Sequence, residues 1–141
     1  MKKILALALL GLLITACNKD QKTVKQLDGK WNATSYTVTS DGTSENFVTS
    51  GFGLSITFEN CKLKDDEFCR ATWVESYPGD DIYTEIFDYR VAGQGTSLEI
   101  REPSYPAELI YFKIVSFEKD LLKLELNFGD GDITEIEMKR E

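Results

Sequence analysis

From Leu27 onward no stretch of this chain carries a convincing helical period; short runs of β-branched and aromatic residues alternate with clusters of Gly, Pro and Asp. Punctuation of that kind restricts the chain to successive antiparallel hairpins. Strands are predicted near 30–39, 53–61, 67–75, 82–91, 96–102, 108–117, 121–128 and 132–139, with a short extra one near 44–49. Turn chemistry fills the breaks, in Ser40-Asp41-Gly42, Lys64-Asp65-Asp66, Pro78-Gly79-Asp80-Asp81, Gly93-Gln94-Gly95, Glu118-Lys119-Asp120 and Gly129-Asp130-Gly131-Asp132. The expectation is one all-β domain over 27–141, a compact antiparallel barrel or sandwich of about eight strands.

Side-chain alternation assigns faces. Leu122, Leu124, Leu126 and Phe128 share one side of their strand, with Lys123, Glu125 and Asn127 on the other. In the last strand Thr134, Ile136, Met138 and Arg140 fall together, so an arginine points with the apolar set and needs a partner. If Cys61 and Cys69 face each other across a hairpin, the turn centres on Asp65 and Phe58 pairs with Thr72. That register sends Trp73 outward, which calls for a bulge, a cover from the N-terminal segment or a protein contact.

The N-terminus is of another kind. Met1-Lys2-Lys3 is followed by an apolar run from Ile4 to Ile14 and then by Thr15-Ala16-Cys17. As a helix the run would span about 16 Å at ~1.5 Å per residue, against a hydrocarbon core of roughly 30 Å, so it reads as a secretory signal over residues 1–16 and not as a membrane span. Leu13-Ile14-Thr15-Ala16-Cys17 resembles the lipobox of bacterial lipoproteins. The resemblance implies cleavage before Cys17, lipid on its sulfur and new amino group, and a membrane as first partner. Residues 17–26 are expected to be the lipidated cysteine and a polar, flexible tether. Within it, Lys19-Asp20 resembles the surface-export signal of lipoproteins from the Bacteroidetes group, which implies the cell envelope, the outer membrane and its exposed face.

Charge and residue inventory narrow the chemistry. With 16 Lys and Arg against 24 Asp and Glu, the net charge is −8, and it becomes more negative once Lys2 and Lys3 leave with the signal. This disfavours nucleic acid as a partner, since phosphate backbones demand cationic side chains. Cys17 taken by lipid leaves Cys61 and Cys69, an even pair in an oxidising compartment, expected as a structural disulfide. Their spacing does not fit a redox Cys-x-x-Cys, and without any histidine there is neither a Cys/His zinc set nor a histidine-based triad. Asp65-Asp66-Glu67 and Asp80-Asp81 read as solvated turn acids, so no catalytic residue, metal or cofactor is assigned. Gly129-Asp130-Gly131-Asp132 reads as a hairpin turn, with weak calcium binding at Asp130 and Asp132 left open.

Asp28-Gly29-Lys30-Trp31 stands where the first strand begins, and its Gly-x-Trp resembles the signature of lipocalin barrels; Asn32-Ala33-Thr34-Ser35-Tyr36 is similar to small lipocalin-like domains of Bacteroidetes lipoproteins. The resemblance implies that Trp31, beside Gly29, closes one barrel end while a basic residue of the final strand, Arg140, packs across it. It also implies an all-β fold, a small antiparallel up-and-down β-barrel of about eight strands, lipocalin-like, with a small apolar or amphipathic ligand inside. Tyr36, Tyr83, Tyr89, Tyr105 and Tyr111 are available either to line a cavity or to fill a core. The competing expectation is a surface interaction module with a filled interior, such as an adhesin, inhibitor or accessory subunit.

Overall fold

The structure is a computed structural model that describes residues 19–63, 67–79, 81–129 and 131–141. The signal segment 1–16 and Cys17 lie outside the described residues, as do Lys64, Asp65, Asp66, Asp80 and Asp130. A helix at 19–27, here α1, precedes β1 (Gly29–Ser40), β2 (Thr43–Asn46), a single 3-10 turn (Phe47–Ser50) and β3 (Gly53–Phe58). Then come β4 (Cys69–Ser76), β5 (Ile82–Ala92), β6 (Ser97–Arg101), β7 (Ile110–Glu118), β8 (Leu121–Asn127) and β9 (Ile133–Arg140).

Every pairing is antiparallel, and β9 returns to β1, so β1 and β3 to β9 close into an eight-stranded barrel. Closure removes the unpaired edges that a sheet of this length would otherwise present. The long β1 serves two neighbours on one side, β3 through Gly29–Asn32 and the short β2 through Thr37–Ser40. The β1–β2 turn is two residues long, with φ positive at both Asp41 (51°) and Gly42 (76°), the backbone a tight hairpin needs.

Two irregularities keep the inner face apolar along the longest strands. A register shift between Ala33 and Ser35 lets Trp31 and Ala33 be followed inside by Tyr36 and Val38. A second, between Ile114 and Ser116, does the same for Phe112 and Ile114 and then Phe117. One extra residue is what such a shift costs a strand, and it re-aims every side chain beyond it.

Two expectations need correction. The register of β3 against β4 pairs Phe58 with Ala71 and Ile56 with Trp73, not Phe58 with Thr72. Cys61 and Cys69 do form a disulfide, with Cα atoms 5.5 Å apart. However, Cys61 bonds from the loop after β3 has ended, and a disulfide requires only Cα proximity, not a cross-strand pair. Trp73 therefore faces inward with Ala71 and Cys69, and no bulge or cover is involved.

The second correction concerns the tether. Residues 19–27 form a helix whose Asp20, Thr23, Val24 and Leu27 share one face. Val24 and Leu27 are fully buried and Thr23 nearly so. Two strongly apolar side chains are too few to register as a hydrophobic period, yet they suffice to seat a short helix over the barrel end. Among the described residues, no helix is long and apolar enough to cross a membrane.

Candidate functional site

The two ends of the barrel are built differently. At the end where β1 starts and β9 finishes, Trp31 and Arg140 are direct cross-strand partners. Trp31 is completely buried, and its indole nitrogen donates to the Leu27 carbonyl at 2.7 Å. The Arg140 guanidinium lies 4.3 Å from the centre of the Trp31 ring. It donates through Nη1 to the Asp28 carbonyl at 2.5 Å and through Nη2 to the Gln26 carbonyl. Three consecutive carbonyls at the C-terminus of α1, which no helical N–H can reach, are thus satisfied by one indole and one guanidinium. The cation also sits at the negative end of the helix dipole. Glycine suits position 29: its φ is +114°, a conformation that other residues rarely adopt, and a Cβ would stand 3.3 Å from Arg140 Nη1, so the guanidinium would have to shift slightly.

The loop carrying the disulfide is laced to the same end. The Gln21 side chain donates to the Cys61 carbonyl at 2.8 Å and accepts from the Leu63 N–H at 2.7 Å. Asp28 accepts from the Asn60 N–H at 3.1 Å, and the Tyr89 hydroxyl donates to the Glu59 carbonyl at 2.9 Å. Asp20 accepts from the Gly95 N–H at 2.6 Å across the barrel rim. Burial pushes the Tyr89 phenol well above its ordinary range, with Asp28 and Glu59 adding to the effect. This end is sealed.

The opposite end is not. Between Tyr36, Trp73, Phe87, Phe112, Leu126 and Ile136 the inner wall leaves a largely apolar chamber of about 370 Å³, with buried Thr134 among its lining. Outside it, along the inner faces of β4 and β5, lies a more polar vestibule of about 520 Å³ bounded by Trp73, Glu75, Tyr77, Asp81, Tyr83 and Glu85. Trp73 is common to both, so the indole stands at the threshold. Its Nε1 donates to Glu75 Oε1 at 2.8 Å, while the Tyr77 hydroxyl donates to Glu75 Oε2 at 2.7 Å. That hydrogen bond pushes the Tyr77 phenol up to about 12. Tyr36, deeper in, is raised chiefly by burial and then by the Glu75 charge.

Of the aromatic residues offered by the sequence, Tyr36 lines the chamber and Tyr83 the vestibule. Tyr89 is core filling, packed edge-on against Phe58 at 5.0 Å, and Tyr105 and Tyr111 are exposed. The sequence does not single out Glu75 or Glu85, and it offers Trp73 only as an outward residue and possible protein contact. The signal was present, since aromatic and acidic residues alternate at 73, 75, 77 and again at 83, 85, 87, but reading it requires the observed register. No group of three or more His, Cys, Asp or Glu that could hold a metal occurs among the described residues. Of the pair considered for calcium, Asp130 lies outside them.

Comparison with known structures fits this geometry. The chain resembles a lipocalin-like protein from Bacteroides uniformis, with a TM-score of 0.53 and 17% identity, over 82% of this chain and 99% of that one. The fold is lipocalin-like. A redesigned β-barrel also resembles it, with a TM-score of 0.52 and 12% identity, over 84% of this chain and 95% of the design. No family model and no curated protein matches the sequence. The likeness therefore concerns the lipocalin-like barrel itself, and what its chamber holds must be argued from the lining.

Proposed function

We propose that this protein is a lipid-anchored lipoprotein of the cell envelope whose barrel binds one small apolar or amphipathic molecule. The observation that supports it is the asymmetry of the interior. One end is filled and sealed by Trp31, Arg140 and α1, whereas the other keeps an apolar chamber of about 370 Å³. Ligand sites commonly fall in the range of roughly 300–1,000 Å³. A barrel of eight strands has room either to fill with side chains or to hold one such ligand. Binding is the whole of the proposed activity, and no residue is assigned a catalytic role.

The anchor belongs to the same proposal. Cleavage before Cys17 would place the lipid two residues ahead of Lys19, where α1 is first described. Asp20 is bound to Gly95 at the sealed end, so the chain leads toward the membrane from that end and the mouth faces away. The expected location is the outer membrane, with the domain outside the lipid. A surface interaction role is the second reading, favoured by exposed Ile82, Tyr105, Tyr111 and Phe128.

Two measurements test the proposal. The chain from Asn18, purified without detergent, should release a hydrophobic molecule on solvent extraction or take up N-phenylnaphthylamine saturably at one per chain; an empty protein that takes up none would favour the interaction module. Labelled palmitate should enter the full-length protein and not its Cys17→Ser variant, and equal labelling would remove the anchor.

A further inference from the structure

We propose that the ligand head group is a cation, so that the site takes an amphipathic amine or quaternary ammonium compound with its apolar part in the chamber. This rests on the binding reading above and adds a charge to it. Among the described residues six bound the vestibule; three are carboxylates, three are aromatic, and none is cationic. On the outer wall acids meet cations: Glu99 pairs with Arg90, Asp88 with Arg101, and Glu135 and Glu137 with Lys123. At the mouth, among the described residues, no Lys or Arg pairs with Glu75, Asp81 or Glu85.

The arrangement is ordered. Trp73 on β4 and Tyr77 just beyond its end flank Glu75, and cross-strand pairing sets Tyr83 beside Glu75 and Glu85 beside Trp73. Both hydrogen bonds that fix Glu75 come from neutral donors, an indole N–H and a phenol, so they orient the carboxylate without cancelling its charge. Tyr77 in turn meets Phe52 edge-on at 5.2 Å and Tyr83 at 5.7 Å. The result is an anion held in place by the polar edges of two aromatic side chains, with a third ring, Tyr83, beside it, and a fixed carboxylate among aromatic rings attracts a cation. An anionic head would meet three like charges, whereas a neutral hydroxyl could donate a hydrogen bond but would gain no charge–charge attraction from them. Immediately beyond Trp73 the wall turns apolar with Phe87, Phe112 and Ile136, where the tail would lie.

Decylamine, decanol and decanoate share one tail and differ in charge at neutral pH. Each is titrated by calorimetry, below its aggregation threshold, into the chain from Asn18, which contains every described element. The expected order is decylamine, decanol, decanoate, with decylamine ahead of decanol by about tenfold, the equivalent of ~1.4 kcal/mol for a fixed charge and ring pair at a partly exposed site. In the Glu75→Gln, Glu85→Gln double variant that advantage should collapse while decanol still binds, which also shows that the barrel is intact. Decylamine binding no tighter than decanol, or an advantage that survives both substitutions, would overturn the cationic head group and leave the apolar chamber standing. If none of the three binds, the binding reading itself fails.

Discussion

Arg140 does two jobs that a lysine could not combine. Its planar guanidinium lies on the Trp31 ring and simultaneously donates to the Asp28 and Gln26 carbonyls. Arg140→Ala is expected to lower stability by about 2–3 kcal/mol, the scale for hydrogen bonds to a charged group lost together with ring stacking. Arg140→Lys should recover less than half of it, as read by urea denaturation. Trp31 was legible through the resemblance of Gly-x-Trp to the start of lipocalin barrels, and Arg140 through its alternation in phase with Ile136 and Met138, which already called for a partner. A second residue-scale expectation concerns Tyr89. Its phenol is raised above 10.0 in the folded chain, so the unfolded chain gives up the proton first. Tyr89's contribution to stability is full below pH 10 and declines above it; Tyr89→Phe should flatten the alkaline side of the stability profile measured by denaturation at stepped pH.

At the scale of elements, strands were readable and their register only partly so. Each β-run showed itself by its own composition and turns, and the observed strands fall on the expected ones. Where a strand lies against its neighbour depends on the loop, and for β3 and β4 the loop includes a cysteine that bonds from outside the ladder. The one-residue difference turned Trp73 from an apparent surface residue into part of the wall, which is how the vestibule stayed hidden. The α1 helix escaped for another reason. An isolated helix of its length is marginal in water and takes its stability from packing, so two buried side chains carry what no period reveals. Leu27→Ala is expected to cost about 2–5 kcal/mol, as other buried leucine truncations do, by the same urea measurement. A loss below 0.5 kcal/mol, the level of an ordinary surface change, would mean that α1 rides loosely on the barrel.

For the whole molecule, one fold supplies a plug and a cup. Aromatic and aliphatic side chains fill the inner layers near Trp31, Phe58, Leu98, Leu122 and Met138, all essentially without solvent exposure. Toward the other end the inward side chains leave the chamber of about 370 Å³ between them. The hairpins were visible in the sequence and the lipocalin resemblance turned them into a barrel, but the chamber was not visible, because filling depends on how inward residues from eight strands meet. The chain holds two tryptophans, one at each end of the interior. That separation allows the central claim, that the open end holds the ligand, to be tested directly. Trp31→Phe leaves Trp73 as the reporter, and Trp73→Phe leaves Trp31. Titrating decanol should shift the emission of the first variant to the blue, saturably and at one ligand per chain, while the second stays silent. Equal responses from both variants, or a Trp73 signal that never changes as ligand binds, would contradict it.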